Sequence, residues 1–133
     1  MENREKQNFL ANEYVEIWIE DGIIFEVFKP GTTINLEAGK KVVADRLKIS
    51  NGKTMPLFVD MRQLLSINKE TRRYMASQDA LHYLSAGAFL VKSTINRMAF
   101  NAFRIISKPP IPTKGFTNKE KALNWLKYVK NVN

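Results

Sequence analysis

Two short apolar runs, separated by a helical segment, constrain the fold more than any other feature of this sequence. The runs are "MPLFVDM" at 55–61 and "AGAFLVKS" at 86–93. Both are short for a buried helix and are typical of strands with apolar neighbours on both faces. Such strands, alternating with helices, require crossover connections, so the pattern predicts an α/β fold.

A β-hairpin is predicted before the first of these runs. The stretch 13–30 alternates apolar and polar residues around Asp21-Gly22, which is a strong turn signal. A two-residue turn would place Ile17 opposite Glu26, which is a poor match. A one-residue slip moves every side chain to the other face of the sheet. We therefore predict one extra residue in the turn, with Ile17 opposite Val27.

Four longer segments have the pattern of helices. Asn35 and Asn68 are the predicted N-caps of the first two, because their side-chain oxygens can accept hydrogen bonds from the first helical turn. Thr117 and Glu120 form a predicted capping box for the last helix. The helices are predicted over 35–49, 69–77, 94–106 and 117–131, with a further short helical piece over 79–85.

The predicted architecture is a single mixed β-sheet with helices, in the order ββαβαβαβα. The last strand is a short edge strand around Gly115 and Phe116, reached through a stiff proline-rich connector. A chain of 133 residues has the length of one domain. We therefore expect a flexible tail over 1–12 and a single domain over 13–133.

Composition excludes several kinds of chemistry. The chain has no cysteine, which excludes disulfides, thiolate metal sites and a cysteine nucleophile. The single histidine, His82, is predicted to be a partly exposed helix residue, since a catalytic histidine normally needs an orienting partner. No glycine-rich phosphate loop occurs. We expect no metal, no cofactor and no enzymatic activity.

The sequence also lacks the signals of membrane insertion and export. No window approaches the roughly 18 apolar residues that a membrane-spanning helix needs. The N-terminal stretch 1–13 is polar and of mixed charge, unlike a signal peptide. We therefore expect a cytoplasmic protein.

The net charge of +8 is distributed unevenly along the chain. Residues 1–66 hold 9 Lys and Arg against 10 Asp and Glu, whereas residues 67–133 hold 12 against 3. Such asymmetry is typical of a surface for nucleic acid, anionic lipid or an acidic partner. The alternative is a solvated basic surface that only keeps the protein soluble.

The order of elements and several local stretches resemble the STAS-like, SpoIIAA-like domains, whose fold is that of anti-sigma-factor antagonists. The chain is most similar to small uncharacterised bacterial members, especially from Bacteroidetes, over roughly residues 13–130. The resemblance implies a regulatory or interaction module, in a fold related to lipid-binding domains of the CRAL-TRIO type. It rests on "LFVDMRQLLSINKETRRYM", "INRMAFNAF", "PPIPTKGF" and "TNKEKALNWL".

The phosphorylation switch of the antagonists is predicted to be absent. In that family, a strand that ends in Asp leads to Asp-Ser-Ser-Gly at a helix start. Setting Asp60 on the strand Asp brings residues 68–71 onto the motif, with Lys69 and Glu70 in place of the two serines. Neither residue can accept a phosphoryl group. Thr71 is a nearby hydroxyl, but it does not match a serine position of the motif.

Asp60 and Arg62 form a candidate ligand-end loop. Both follow the carboxyl end of a predicted strand, where ligands often bind in open α/β sheets. A functional reading makes Asp60 an acid, a base or a ligand anchor, which needs a cleft and a partner. The structural alternative is that Asp60 caps a loop or pairs with Arg62 or Arg72.

The third predicted helix carries a candidate interaction surface. At about 100° per residue, Phe100 lies opposite the apolar stripe, between Arg97 and Arg104. This face either contacts a second subunit, binds a ligand or nucleic acid, or is buried by the proline-rich segment or a sister subunit. The apolar stripe is expected to face the core, and consists of Ile95, Met98, Ala99, Ala102, Phe103 and Ile106.

Trp18 is a further candidate for an interaction surface. It lies on the same face of its strand as Glu16 and Glu20, where a second subunit or the N-terminal tail is expected to cover it.

Three function classes remain open from the sequence. The leading hypothesis is a non-enzymatic regulatory or protein-interaction module, with an unknown protein partner and a tendency to form homo-oligomers. The second is a small-ligand or lipid-binding domain, which a buried apolar pocket beside the sheet would support. The third is nucleic-acid binding through the basic second half, which predicts a steep dependence of affinity on salt.

Overall fold

The computed structural model describes residues 6–132, with side chains up to residue 129. The strands are β1 (Gln7–Ala11), β2 (Val15–Glu20), β3 (Ile23–Phe28), β4 (Thr33–Ile34), β5 (Met55–Asp60), β6 (Ser66–Ile67), β7 (Leu84–Leu90) and β8 (Thr113–Phe116). The helices are α1 (Leu36–Ser50), α2 (Lys69–Met75), α3 (Thr94–Ser107) and α4 (Lys119–Val132). Within this part of the chain, no helix has both the length and the apolar content for crossing a membrane.

One mixed sheet of six strands organises the molecule, in the order β1-β2-β3-β5-β7-β8. The first two pairs are antiparallel, and the pairs from β3 to β8 are parallel. Parallel neighbours need crossovers, and α1, α2 and α3 lie in those connections. The prediction of a mixed α/β sheet is therefore confirmed, and β4 and β6 add a separate two-stranded parallel sheet.

The prediction of a flexible tail over 1–12 is wrong for residues 7–11. These residues form β1, an edge strand that pairs antiparallel with β2. The strand was missed because four of its five residues are exposed and its sequence, "QNFLA", lacks a period-two pattern. Residues 1–5 lie outside the described part of the chain, and the single domain over 13–133 stays a prediction.

The predicted hairpin register is also wrong. Asp21 and Gly22 alone form the turn, both with positive φ (54° and 73°), as a type I′ turn requires. Ile17 therefore pairs with Glu26, the combination that looked unfavourable. The physical reason is that Glu26 has a charged partner inside the protein, so this strand face accepts a carboxylate.

The sheet has two faces with different coverings. The face that we call the α1 face carries Ile17, Ile24, Leu57 and Val59 in one hydrophobic cluster with residues of α1. The opposite face, the α4 face, lies under α4 and holds a second cluster. Its buried members are Trp18, Ile23, Phe25, Phe58, Ala86, Ala88, Leu90, Phe116, Ala122 and Leu126.

Most helix ends agree with the predictions. The side chains of Asn35 and Asn68 cap α1 and α2 as expected. In α4 the capping side chain is Asn118, which accepts a hydrogen bond from the backbone N–H of Lys121 at 2.9 Å, rather than Thr117. The expected helical piece over 79–85 is absent, because residues 79–83 form turns and β7 begins at Leu84.

Candidate ligand cavity

A cavity of about 390 Å³ lies on the α1 face of the sheet. Its sheet side is formed by residues of β3, β5, β7 and β8 that point to the same face of successive strands. Side chains from α2, from the turns after it and from α3 form the remaining walls. The apolar lining includes Phe28, Leu57, Val59, Met61, Ile67, Met75, Leu81, Leu84, Phe89, Phe100, Phe103 and Ile111.

A buried ion pair forms one end of this lining. The guanidinium of Arg46 donates from Nη1 to Glu26 Oε1 at 3.2 Å, and the two side chains are 3% and 1% exposed. Arg46 also donates from Nη2 to the carbonyl of Ala80. Burial raises the pKa of the Glu26 carboxyl above its ordinary value, although Arg46 opposes the shift through its charge and its hydrogen bond. The fold therefore supports this carboxylate almost entirely through Arg46.

Two more arginines contribute positive charge to the cavity lining. Arg104 reaches the lining from α3 and Arg72 from α2. The Arg72 guanidinium donates to the carbonyl of Ile67 at 2.9 Å and lies 5.9 Å from the centre of the Phe103 ring. With Glu26 and Arg46, the lining has three positive side chains and one negative.

Two buried donors in this lining have no acceptor. The Nε atoms of Arg46 and Arg104 are inaccessible and make no hydrogen bond within the described residues. Buried polar groups are nearly always paired, because an unsatisfied donor loses its hydration without compensation. Both atoms belong to arginines of the cavity lining, so part of the polar surface of these guanidinium groups is left without a hydrogen bond.

The orientation of α3 turns Phe100 toward the sheet, which agrees with the alternative that this face of the helix is buried rather than with an exposed contact surface. Its ring packs against Phe89 of β7, with ring centres 4.8 Å apart. A β-carbon on Gly115 would lie 2.9 Å from the Phe100 ring, so only glycine lets β8 approach the helix this closely. Asn101 adds a hydrogen bond from the Gly115 N–H at 2.9 Å. Phe100 therefore anchors α3 to the sheet and is not an exposed contact residue.

The four residues of the candidate interaction surface do not lie together. Phe100 and Arg104 face the cavity, whereas Arg97 is half-buried outside its lining. Trp18 lies on the other face of the sheet, buried between Phe9 of β1 and Phe25 of β3. The N-terminal segment covers Trp18, which was one of the two expected coverings.

Asp60 and Arg62 form a local pair at the carboxyl end of β5. The Arg62 side chain donates from Nε and Nη2 to the two Asp60 oxygens at 3.0 and 2.8 Å. Burial pushes the Asp60 pKa up, but the hydrogen bonds from Arg62 and the charges of Arg62 and Lys119 together hold it below its ordinary value. Neither Asp60 nor Arg62 lines the cavity. The pair therefore agrees with the structural alternative for Asp60.

The residues aligned with the phosphorylation motif serve the start of α2. The Asn68 side chain accepts from the backbone N–H of Thr71 at 2.9 Å, and Thr71 is fully buried. Its hydroxyl donates to the same Asn68 oxygen. The structure therefore assigns this stretch a capping role. His82 lies in an exposed turn rather than in a helix.

Sequence reasoning missed the charged part of the cavity. Glu26 was treated as a misfit in a strand, and Arg46 was one cation among many in a predicted helix. The signal that was available is the apolar neighbourhood of Glu26, since a carboxylate flanked by buried positions implies a partner. Arg46 lies twenty residues away along the chain, and only the packing of α1 on the sheet brings it to Glu26.

The chain belongs to a family described as a domain of unknown function, DUF7793, whose model matches residues 17–130. No curated protein matches the sequence significantly. The structure is similar to the crystal structure of an uncharacterised protein from the DUF3478 family with a SpoIIAA-like fold, from Shewanella loihica PV-4. That similarity has a TM-score of 0.58 at 12% identity and covers 95% of this chain and 98% of the other. The resemblance to the SpoIIAA-like fold is therefore confirmed.

A second solved structure, a protein with unknown function from Arthrobacter sp. FB24, is 23% identical over 96% of this chain and 98% of its own. Its TM-score of 0.30 is too low for an argument about fold.

Proposed function

We propose that this domain binds a small, mainly apolar ligand that carries one anionic group, and that it does so without catalysis. The observation that carries the proposal is the cavity of about 390 Å³ on the α1 face. Ligand pockets usually measure about 300–1,000 Å³ and are mainly apolar, with a few polar groups that fix orientation. Both the volume and the lining of this cavity fit that description.

The lining supports an apolar body for the ligand. Twelve aliphatic or aromatic side chains, from Phe28 to Ile111, surround a space beside the sheet that the protein does not fill itself. Protein interiors are otherwise packed almost without voids, so an unfilled apolar space of this size favours an occupant.

The arginines support an anionic group. Glu26 is already paired with Arg46, so Arg72 and Arg104 leave a positive excess in the lining. A carboxylate placed beside the Arg104 guanidinium, which lines the cavity, would receive a charge-assisted hydrogen bond from it. A neutral ligand would satisfy the apolar walls and leave this charge without a counterion.

The expectation of a regulatory or protein-interaction module stays a prediction. Ligand binding is compatible with it, because a ligand in the cavity would contact α2, α3 and the sheet together. Nucleic-acid binding also stays a prediction.

A calorimetric titration with decanoate and with decan-1-ol tests the proposal. Decanoate is expected to bind more tightly, because only it carries the anion. In the series from hexanoate to decanoate, each added CH₂ is expected to contribute about 0.8 kcal/mol, or about fourfold in Kd, until the cavity is full.

Matched variants on α3 locate the site. Ser107→Phe fills part of the cavity and is expected to abolish decanoate binding, whereas Ala102→Phe, on the exposed side of the same helix, leaves it unchanged. Arg104→Gln is expected to remove the preference for decanoate over decan-1-ol, and Arg97→Gln, outside the lining, retains it.

Two results would overturn the proposal. One is decanoate binding that Ser107→Phe does not weaken. The other is a wild-type protein that binds neither probe and carries no amphiphile in its native mass spectrum after purification.

A further inference from the structure

The outer side of α3 presents a continuous apolar strip to the surroundings. Ile95 and Ile106 are 77% and 81% exposed, and Met98 and Ile105 are also mainly exposed. Ala102 lies among them on the same side of the helix. No described residue covers these side chains, and α3 has no buried residue at all. The strip, which we call the outer strip, therefore favours an external apolar partner.

The inner side of α3 explains why the outer strip is free. Phe100 and Asn101 hold the helix to Gly115 of β8, and Phe103 and Arg104 face the cavity. Because these contacts fix the rotation of the helix, its most apolar residues point away from the sheet. This is the reverse of an ordinary amphipathic helix, whose apolar stripe faces the core.

Exposed lysines flank the outer strip at both ends. Lys92 precedes α3 and Lys108 caps its C-terminus, and both are exposed. Arg97 lies between them along the helix. The forty residues from 80 to 119 contain six Lys and Arg and no Asp or Glu. The strip therefore has cations at both ends, and this stretch of the chain supplies no carboxylate to neutralise them.

The charge pattern distinguishes between two occupants. In a two-fold symmetric dimer the same patch meets itself, so Lys92 and Lys108 would face cations of the partner copy. An anionic bilayer instead accepts apolar side chains below its headgroups and attracts the cations at its surface. We propose that the outer strip of α3 docks on an anionic lipid bilayer, with the helix lying in the plane of the interface.

This docking is independent of the ligand proposal, because it needs only the outer strip and its cations. The two sites are nevertheless the two sides of one helix. Ala99, Phe103 and Arg104 line the cavity, while Met98, Ala102 and Ile105 form the outer strip. Docking would therefore place one wall of the cavity at the surface of the bilayer.

Vesicle flotation with the full chain tests the docking. The wild type is expected to float with vesicles of equal parts phosphatidylglycerol and phosphatidylcholine. Its apparent affinity is expected to be about tenfold or more lower for pure phosphatidylcholine, and to fall as salt rises. Ile105→Glu is expected to lose binding. Leu65→Glu, which changes an equally large and 72% exposed side chain away from α3, is the matched control and retains it.

The absence of cysteine allows a second, site-specific readout. An environment-sensitive fluorophore on Ile105→Cys is expected to shift to the blue when anionic vesicles are added. The same fluorophore on Leu65→Cys is expected to remain unchanged. A shift at both positions would contradict docking through α3.

The remaining outcomes distinguish a bilayer from a second copy of the chain as the partner of the outer strip. They also distinguish failure of the docking proposal from failure of the ligand proposal. Wild-type protein that ignores anionic vesicles overturns the docking, and a dimer that dissociates on Ile105→Glu would then assign the strip to a second copy. Vesicle binding that survives Ile105→Glu also overturns it. Ser107→Phe is expected to bind vesicles normally while failing to bind decanoate, so failure of one proposal is distinguishable from failure of the other.

Discussion

Helices α3 and α4 have the same length and opposite relations to the sheet. Both contain fourteen residues and follow parallel strands at one side of the sheet. Ala122 and Leu126 of α4 are fully buried against Phe58, Leu90 and their neighbours. No residue of α3 is buried. Amphipathic sequence alone therefore does not decide which side of a helix becomes the core.

The two faces of the sheet also differ in how completely they are packed. The α4 face is closed by apolar side chains that contact each other directly, including stacked Trp18 and Phe25 rings with centres 5.4 Å apart. The α1 face contains a cavity, a buried ion pair and unpaired arginine donors. The α4 face is therefore filled by apolar contacts that stabilise the fold. The α1 face contains an unfilled cavity and buried charges, which a packed apolar core does not need.

Breaking the buried Glu26–Arg46 ion pair tests the α1 face and is expected to change the free energy of unfolding the most. Arg46→Met leaves Glu26 buried without its cation, and is expected to lower the free energy of unfolding by about 3–5 kcal/mol. The double variant Glu26→Leu/Arg46→Met removes both charges and is expected to recover most of the loss. Urea unfolding measures both. Equal losses in the single and double variants would show that the pairing is not the source of the effect.

Truncation of matched apolar residues tests the contrast between the two helices. Leu126→Ala in α4 is expected to cost about 3 kcal/mol, because it opens a cavity in a packed cluster. Met98→Ala in α3 is expected to cost less than about 0.5 kcal/mol, since the side chain is mainly exposed. Thermal and urea unfolding give both values. Similar losses at the two positions would mean that α3 is packed as α4 is.

Stability against pH tests the environment of Glu26. Its folded-state pKa is raised above 4.5, so the folded protein holds this proton more tightly than the unfolded chain does. Its contribution to stability therefore declines as pH rises from 4.5 through the folded-state pKa. Melting temperatures from acidic to neutral pH should show this decline in the wild type, and Glu26→Gln should lack it. A constant difference between the two proteins at every pH would contradict the prediction.

Removing the Asp60–Arg62 ion pair is expected to change the free energy of unfolding the least. Its carboxyl has a lowered pKa, so its contribution is present above pH 3.8 and is lost as pH falls through the folded-state pKa. Arg62 is half-exposed, and Asp60→Asn is expected to cost less than about 1 kcal/mol at neutral pH. Unfolding at neutral and acidic pH checks this. A larger loss that persists in acid would indicate a role beyond the pair.

Most of the longer strands and helices were predictable because their signals are local, whereas β1, β4 and β6 were not predicted. Asn35, Asn68 and the alternation in β2 act within one turn or one strand, and each prediction from them agrees with the structure. Strand β1 was missed because its position depends on pairing with β2 rather than on its own pattern. The predicted hairpin register was wrong because Glu26 is compatible with a buried face once Arg46 pairs with it.

The candidate site was less predictable because its residues come from distant segments. Glu26, Arg46 and Arg104 meet around one cavity only after α1 and α3 pack on the same face of the sheet. The helical wheel placed Phe100 away from Ile95, Met98 and Ile106, and the structure has these three residues exposed while Phe100 packs on the sheet. The wheel could not show that Phe100 would be anchored over Gly115, nor that Ile95, Met98 and Ile106 would remain exposed. Ala99 and Phe103, which belong to the same predicted stripe, line the cavity.

The order of strand-like and helix-like hydrophobic patterns along the chain was sufficient to predict the α/β fold class. A hydrophobic period of two residues indicates a strand and a period of 3.6 residues indicates a helix, and both can be recognised locally. The basic second half could also be counted from the sequence, whereas the SpoIIAA-like arrangement and the absence of serines at the motif positions were predicted from the resemblance to a known family. The cavity and the exposed side of α3 depended on the packed molecule. Packing between distant elements fixes the rotation of each helix, and that rotation determines which side chains line a cavity, form a core or remain available to a partner.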